Sequence, residues 1–143
     1  KAEAKAAAEA AQAAAEAAAL AKTDLRQQVV NFALSFVGGP YRYGGSDPRT
    51  GVDCSGFTSY VMRNAAGVNL ARSSKGQANN GVAISAEQMQ PGDLIFYGGS
   101  GGINHVAMYI GGGKIVHAST YSTGIKVSNW NYRTPVKIVN VLG

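Results

Sequence analysis

Asp53-Cys54-Ser55-Gly56-Phe57-Thr58-Ser59-Tyr60-Val61 is the stretch on which the reading of this chain turns. Phe57, Tyr60, Val61 and Ala65 recur on one helical face and Gly67 is placed to end the helix, so Cys54 falls at its start with Asp53 near the cap. Unpaired N–H groups at a helix start favour an anion, and a thiol ionises more readily there. Cys54 is the only cysteine, which excludes an internal disulfide. The alternative role of a lone cysteine is a small buried hydrophobe, and the polar, tight company of Asp53, Ser55 and Gly56 argues against it. Cys54 is therefore read as a nucleophile.

Upstream, Tyr41 to Val52 holds Gly44, Gly45, Pro48 and Gly51, too many breakers for regular structure, and reads as a loop leading to Cys54. Before it, Leu25, Val29, Ala33, Phe36 and Val37 recur at helical spacing, with Asp24 as cap and Gly38-Gly39-Pro40 as stop. Residues 1–22 contain 14 alanines and almost no larger apolar side chain. That composition predicts a helix about 33 Å long with no wide apolar stripe, acting as a linker or as the end of a coiled coil. The expected organisation is thus a linker over residues 1–22 and one catalytic domain over 23–143.

Downstream, the character changes at Pro91-Gly92-Asp93. Leu94 to Tyr97 is short, apolar and bounded by turn residues, while His105 to Ile110 and Lys114 to Ala118 flank Gly111-Gly112-Gly113 as a hairpin does. Ile125 to Val127 and Val136 to Val141 continue the pattern. Helices first and an antiparallel meander afterwards predict an α+β fold, with the helices on one side of the sheet.

Composition narrows the function. A 45% hydrophobic chain of 143 residues is enough for one core. The formal charge of +5 belongs entirely to residues 23–143, where ten Lys and Arg face five acidic residues; these cations are scattered, which argues against nucleic acid. No stretch approaches the roughly 18 apolar residues of a spanning helix. The chain begins with Lys inside a repetitive segment, so the reading is of a piece of a longer protein whose export signal lies elsewhere. Oligomeric state is open.

A thiolate needs an imidazole beside it to take and return the proton, and the chain offers two, His105 and His117. They are 12 residues apart on the two arms of one hairpin, an even separation that lets both face one side of a sheet. His105 then serves as base and acid, and His117 as the group that orients it. One Cys and two His are also zinc-ligand types, but the usual short ligand spacings are missing, since Cys54 precedes His105 by 51 residues. No metal and no cofactor is expected.

Five blocks in order, Pro40-Tyr41-Arg42-Tyr43-Gly44-Gly45, Asp53-Cys54-Ser55-Gly56-Phe57, Pro91-Gly92-Asp93-Leu94, Asn104 to Gly111 and His117-Ala118, resemble the NlpC/P60 family of bacterial cell-wall cysteine peptidases. The resemblance covers Asp24 to the C-terminus and leaves out the alanine-rich leader. It implies a papain-like fold and hydrolysis of peptidoglycan stem peptides, at the bond from D-γ-glutamyl to the diamino acid, by a secreted or wall-associated enzyme. An amidase cutting between the lactyl group and the first alanine, or a non-catalytic wall-binding module, are the alternatives. It further implies Cys54 as nucleophile, His105 as base and His117 as orienting residue, with Tyr41 contacting substrate or the oxyanion. Asp53 and Ser55 border the acyl-side pocket, where Asp53 either caps the helix or pairs with a free amino terminus. Arg72 and Gln77 fall near the cleft with no assigned chemistry, and Trp130 and Tyr132 line a wall or fill the core. Tyr43 stands where many relatives carry tryptophan.

Overall fold

The computed structural model describes residues 2–143. Helix α1 runs unbroken over Ala2–Leu34, so the helix expected to start afresh at Asp24 does not exist as a separate element. The sequence explains the continuity: no glycine or proline lies between those ends, and the Thr23 hydroxyl bonds back to the Ala19 carbonyl at 3.1 Å without leaving the helix. What changes near residue 23 is packing. Residues 4–24 are exposed, and burial begins with Leu25 and Arg26 and continues at Val29, Val30 and Ala33. Lys1, part of the expected linker, lies outside the described residues.

The loop ahead of the cysteine carries a small hairpin that its glycines and proline hid, β1 (Ser46–Asp47) against β2 (Gly51–Val52). Then comes α2 (Cys54–Ala66), ended by Gly67 in the left-handed region at φ 67°. The Val68 N–H reaches back to the Met62 carbonyl at 3.1 Å, closing the last turn as such a glycine allows. A single turn of helix, α3 (Ser74–Gln77), and a short strand β3 (Val82–Ala83) lead to the meander. Its strands are β4 (Leu94–Gly99), β5 (Gly102–Gly111), β6 (Lys114–Thr120), β7 (Gly124–Asn129) and β8 (Pro135–Asn140). They form one antiparallel sheet in the order β3-β8-β4-β5-β6-β7.

Period-two alternation sorts the sheet into two faces. Leu94, Phe96, Val106, Met108, Val116 and Ala118 meet Val29, Phe57, Val61 and Met62 of the helices in the main core. Ile95, Tyr97, Ala107 and Ile115 point the other way, under Ile84, Met89 and Trp130. Phe57 is fully buried; its burial is worth about 2–3 kcal/mol and truncation to alanine removes more, because a cavity remains. The helix side is further tied by a buried ion pair, Arg26 to Asp93 at 2.8 Å, and Arg26 also donates to Asn140 Oδ1 and the Gly143 carbonyl. One guanidinium thus joins α1, the start of β4 and the end of the chain.

Candidate active site

The start of α2 is built by its neighbours. Asp53 is extended, and its Oδ1 accepts from the Gly56 N–H at 2.8 Å, which is helix capping. The same carboxylate accepts from the Gly44 N–H at 3.0 Å and pairs with Arg72 Nη1 at 3.0 Å. Of the two roles weighed for Asp53, the cap is the one its bonds perform. Gly56 has to be glycine because a Cβ there would collide with the Gly45 carbonyl, which holds the preceding loop against the helix. Ser55 is buried and its Oγ accepts from Arg72 at 2.9 Å, while Arg72 Nη2 reaches the Gly45 carbonyl at 3.1 Å. Gln77 is buried too, bonded to Thr58 and to the Ser55 and Ala71 carbonyls, a brace rather than a cleft residue.

Cys54, the first residue of α2, carries a free and partly buried thiol. The backbone N–H groups of Val106, Ser55 and Cys54 itself lie near its sulfur and favour the thiolate. The β5–β6 ladder is paired from Met108–Val116 to the turn at Gly111–Lys114, so Val106 lies beyond its last rung. The side chain of Val106 packs on the helix face while its neighbour His105 stands opposite Tyr97 on the other face. The sulfur therefore meets β5 at the backbone next to His105.

His105 and His117 do share a face. Counting three back from Met108 and one forward from Val116, which pair directly, puts both on the same side. His105 Nε2 lies 2.7 Å from His117 Nδ1, and His117 Nε2 lies 2.9 Å from Ser128 Oγ on β7. Tyr97 and Tyr132 pack around the pair, Tyr97 5.9 Å from the His105 ring and Tyr132 5.2 Å from the His117 ring, centre to centre. Ser128 was not singled out in the sequence. The signal lay in the register: His117 pairs with Lys126, and Ser128, two residues on, returns to the same face.

Burial dominates the electrostatics. It pushes the Cys54 thiol up, with the Asp53 charge adding to the effect, and the three N–H donors offset this only in part. Desolvation thus opposes the easier ionisation expected from the helix start. His105 is pushed down to about 4, by burial first and the Arg133 charge second. His117 is pushed down to about 3, by burial and then by His105 and Lys126. Both imidazoles are neutral at pH 7. Tyr41 is raised by burial first and by the Cys54 and Asp53 charges next.

In front of Cys54 opens a cavity of about 440 Å³ between Tyr41, Asp53, Ser55, Arg72 and Asn104, the volume of a small-ligand site. Tyr41 stands edge-on to Tyr121 at 4.9 Å, and Tyr43 lies exposed at the rim. Trp130 is absent from this site; it covers the second face of the sheet. Among the described residues no group of three His, Cys, Asp or Glu side chains is arranged to hold a metal ion. Both nitrogens of His117 are in any case engaged. Among the described residues no helix is long and apolar enough to cross a membrane.

Known proteins share this fold. Residues 38–140 match the model of the NlpC/P60 family. The chain is 40% identical over 107 residues to the Gamma-DL-glutamyl hydrolase of Bacillus subtilis (strain 168), covering 74% of this chain and 25% of that protein. It is 37% identical over 108 residues to the Gamma-D-glutamyl-L-lysine dipeptidyl-peptidase of Bacillus cereus, covering 73% of this chain and 32% of the relative. Among solved structures, the NlpC/p60 domain of peptidoglycan hydrolase SagA superposes with a TM-score of 0.74 at 37% identity, covering 80% of this chain and 97% of that one. The chain spans between a fifth and a third of the length of such curated relatives. With the papain-like α+β architecture and a family match over most of its length, the chain belongs to the NlpC/P60 family.

Proposed function

We propose that this domain is a cysteine endopeptidase of peptidoglycan, cutting stem peptides at the bond from D-γ-glutamyl to the diamino acid through a thioester on Cys54. One observation carries the reading: a hydrogen-bonded chain runs from His105 through His117 to Ser128, and His105 adjoins Val106, whose backbone lies near the Cys54 sulfur. The γ-glutamyl substrates in the names of two relatives support the choice of bond. Such a substrate makes the natural setting secreted or wall-associated.

His105 Nδ1 takes the thiol proton as sulfur attacks the carbonyl carbon. Because burial holds both partners neutral at rest, proton transfer accompanies attack rather than preceding it, and thiolate and imidazolium stabilise each other as they form in a low-dielectric site. For His105 to accept at Nδ1, its Nε2–H donates to His117 Nδ1, and His117 Nε2–H donates to Ser128 Oγ. The Cys54 N–H and the Tyr41 hydroxyl face the developing oxyanion. Collapse breaks the C–N bond, and His105 returns the proton to the leaving amine. Water then attacks the thioester, giving its proton to His105, and the released thiolate recovers it.

Mass spectrometry of muropeptides incubated with the wild type and with Cys54→Ala tests this. New fragments ending in D-glutamate with a free γ-carboxylate, produced by the wild type alone, are expected. Fragments cut at the lactyl–alanine bond would replace the reading with an amidase, and binding to sacculi without new amino termini would replace it with a binding module.

A further inference from the structure

Arg133 is a half-buried guanidinium next to the imidazole pair. Its Nη2 donates to Asn104 Oδ1 at 2.9 Å, and Asn104 lines the cavity in front of Cys54. Its Cζ lies 5.7 Å from the centre of the Tyr97 ring, itself packed on His105. Two other guanidinia are neutralised, the buried Arg26 by Asp93 and the exposed Arg72 by Asp53. Among the described residues no carboxylate pairs with Arg133. A half-buried charge oriented by an amide and left without a counter-ion is open to an incoming anion.

The position says which part of a substrate brings it. Asp53, Ser55 and Arg72 lie on the helix side of the sulfur, whereas Arg133, Asn104 and Tyr132 lie on the side of the imidazoles. The imidazole that protonates the leaving amine stands next to the leaving fragment, so groups beside it face that fragment. We infer that Arg133, held by Asn104, binds a carboxylate of the leaving peptide and makes the enzyme selective for fragments with a free acid on that side. The inference rests on the endopeptidase reading above. Arg133 also helps hold His105 low, second to burial, consistent with its place within electrostatic reach of the imidazole.

Two synthetic peptides, alike except that the leaving fragment ends in a carboxylate or a carboxamide, test this on the wild type, Arg133→Gln and Arg133→Lys, each first checked for a native thermal transition. The wild type should show a KM about tenfold lower for the carboxylate, the effect of one charged hydrogen bond. Arg133→Gln should erase that preference and Arg133→Lys should keep part of it. Equal KM values in the wild type, or an undiminished preference in Arg133→Gln, overturn the inference. If neither peptide is cut, the endopeptidase reading fails by itself, and calorimetry on Cys54→Ala with and without Arg133→Gln still decides. Tighter carboxylate binding that needs Arg133 supports the site, whereas equal binding, or none, rejects it.

Discussion

His105 Nε2 and His117 Nδ1 lie 2.7 Å apart across the β5–β6 hairpin, a contact made inside the protein with both rings buried. On the proposed mechanism, a neutral imidazole here replaces the carboxylate or amide more often used to orient a base. Two neutral rings have two ways to share one proton, and the contact of His117 Nε2 with Ser128 Oγ is what can bias the choice.

Substitutions along this chain should fall off with distance from the sulfur. His117→Ala is expected to lower kcat about a hundredfold, within the range of general-base effects. Ser128→Ala should lower it by about tenfold, the effect of one lost hydrogen bond, with little change in KM and with recovery in Ser128→Thr. Steady-state kinetics on a γ-glutamyl peptide reads both. Wild-type kcat in the two alanine variants would remove the orienting role.

Alkylation of Cys54 should report a thiol that is hard to ionise in the free protein. Burial raises it above the ordinary range, so iodoacetamide labelling against pH should have its midpoint at or above the ~8.5 of an unperturbed cysteine. A midpoint below neutrality would mean that a preformed ion pair outweighs desolvation.

The same burial predicts a loss of stability in mild acid. An unfolded histidine binds a proton below about 6.5, whereas the folded chain holds His105 unprotonated down to about 4 and His117 down to about 3. Between those values the unfolded state carries more protons, so stability rises with pH up to about 6.5 and is flat above it with respect to these groups. From pH 7 to 5 the loss should be about 2 kcal/mol per imidazole, read as a shift in urea midpoint. His117→Asn should lose less over that window, and an equal loss would contradict the assignment.

Much of this was legible in the sequence, for identifiable reasons. The meander could be read because glycine turns separate short apolar runs, and the shared face of His105 and His117 because their spacing across the hairpin is even. The start and end of α2 followed from Asp53 and Gly67. The helix break at Asp24 failed because a cap-forming residue does not interrupt a run of strong helix formers that contains no glycine or proline. Ser128 and the Arg133–Asn104 pair were out of reach because each depends on a register or a contact between distant segments. The upward push of burial on the thiol was out of reach for a different reason: a helix start is local, but burial is a property of the whole fold.

The central claim, that the Cys54 sulfur attacks the substrate and carries the acyl group, is tested most directly by the intact mass of the protein quenched in acid during turnover of a γ-glutamyl peptide. A transient mass increase equal to the acyl fragment, mapped to Cys54 and absent from Cys54→Ala, is predicted. Undiminished peptide cleavage by Cys54→Ala, with no adduct on the wild type, would contradict it.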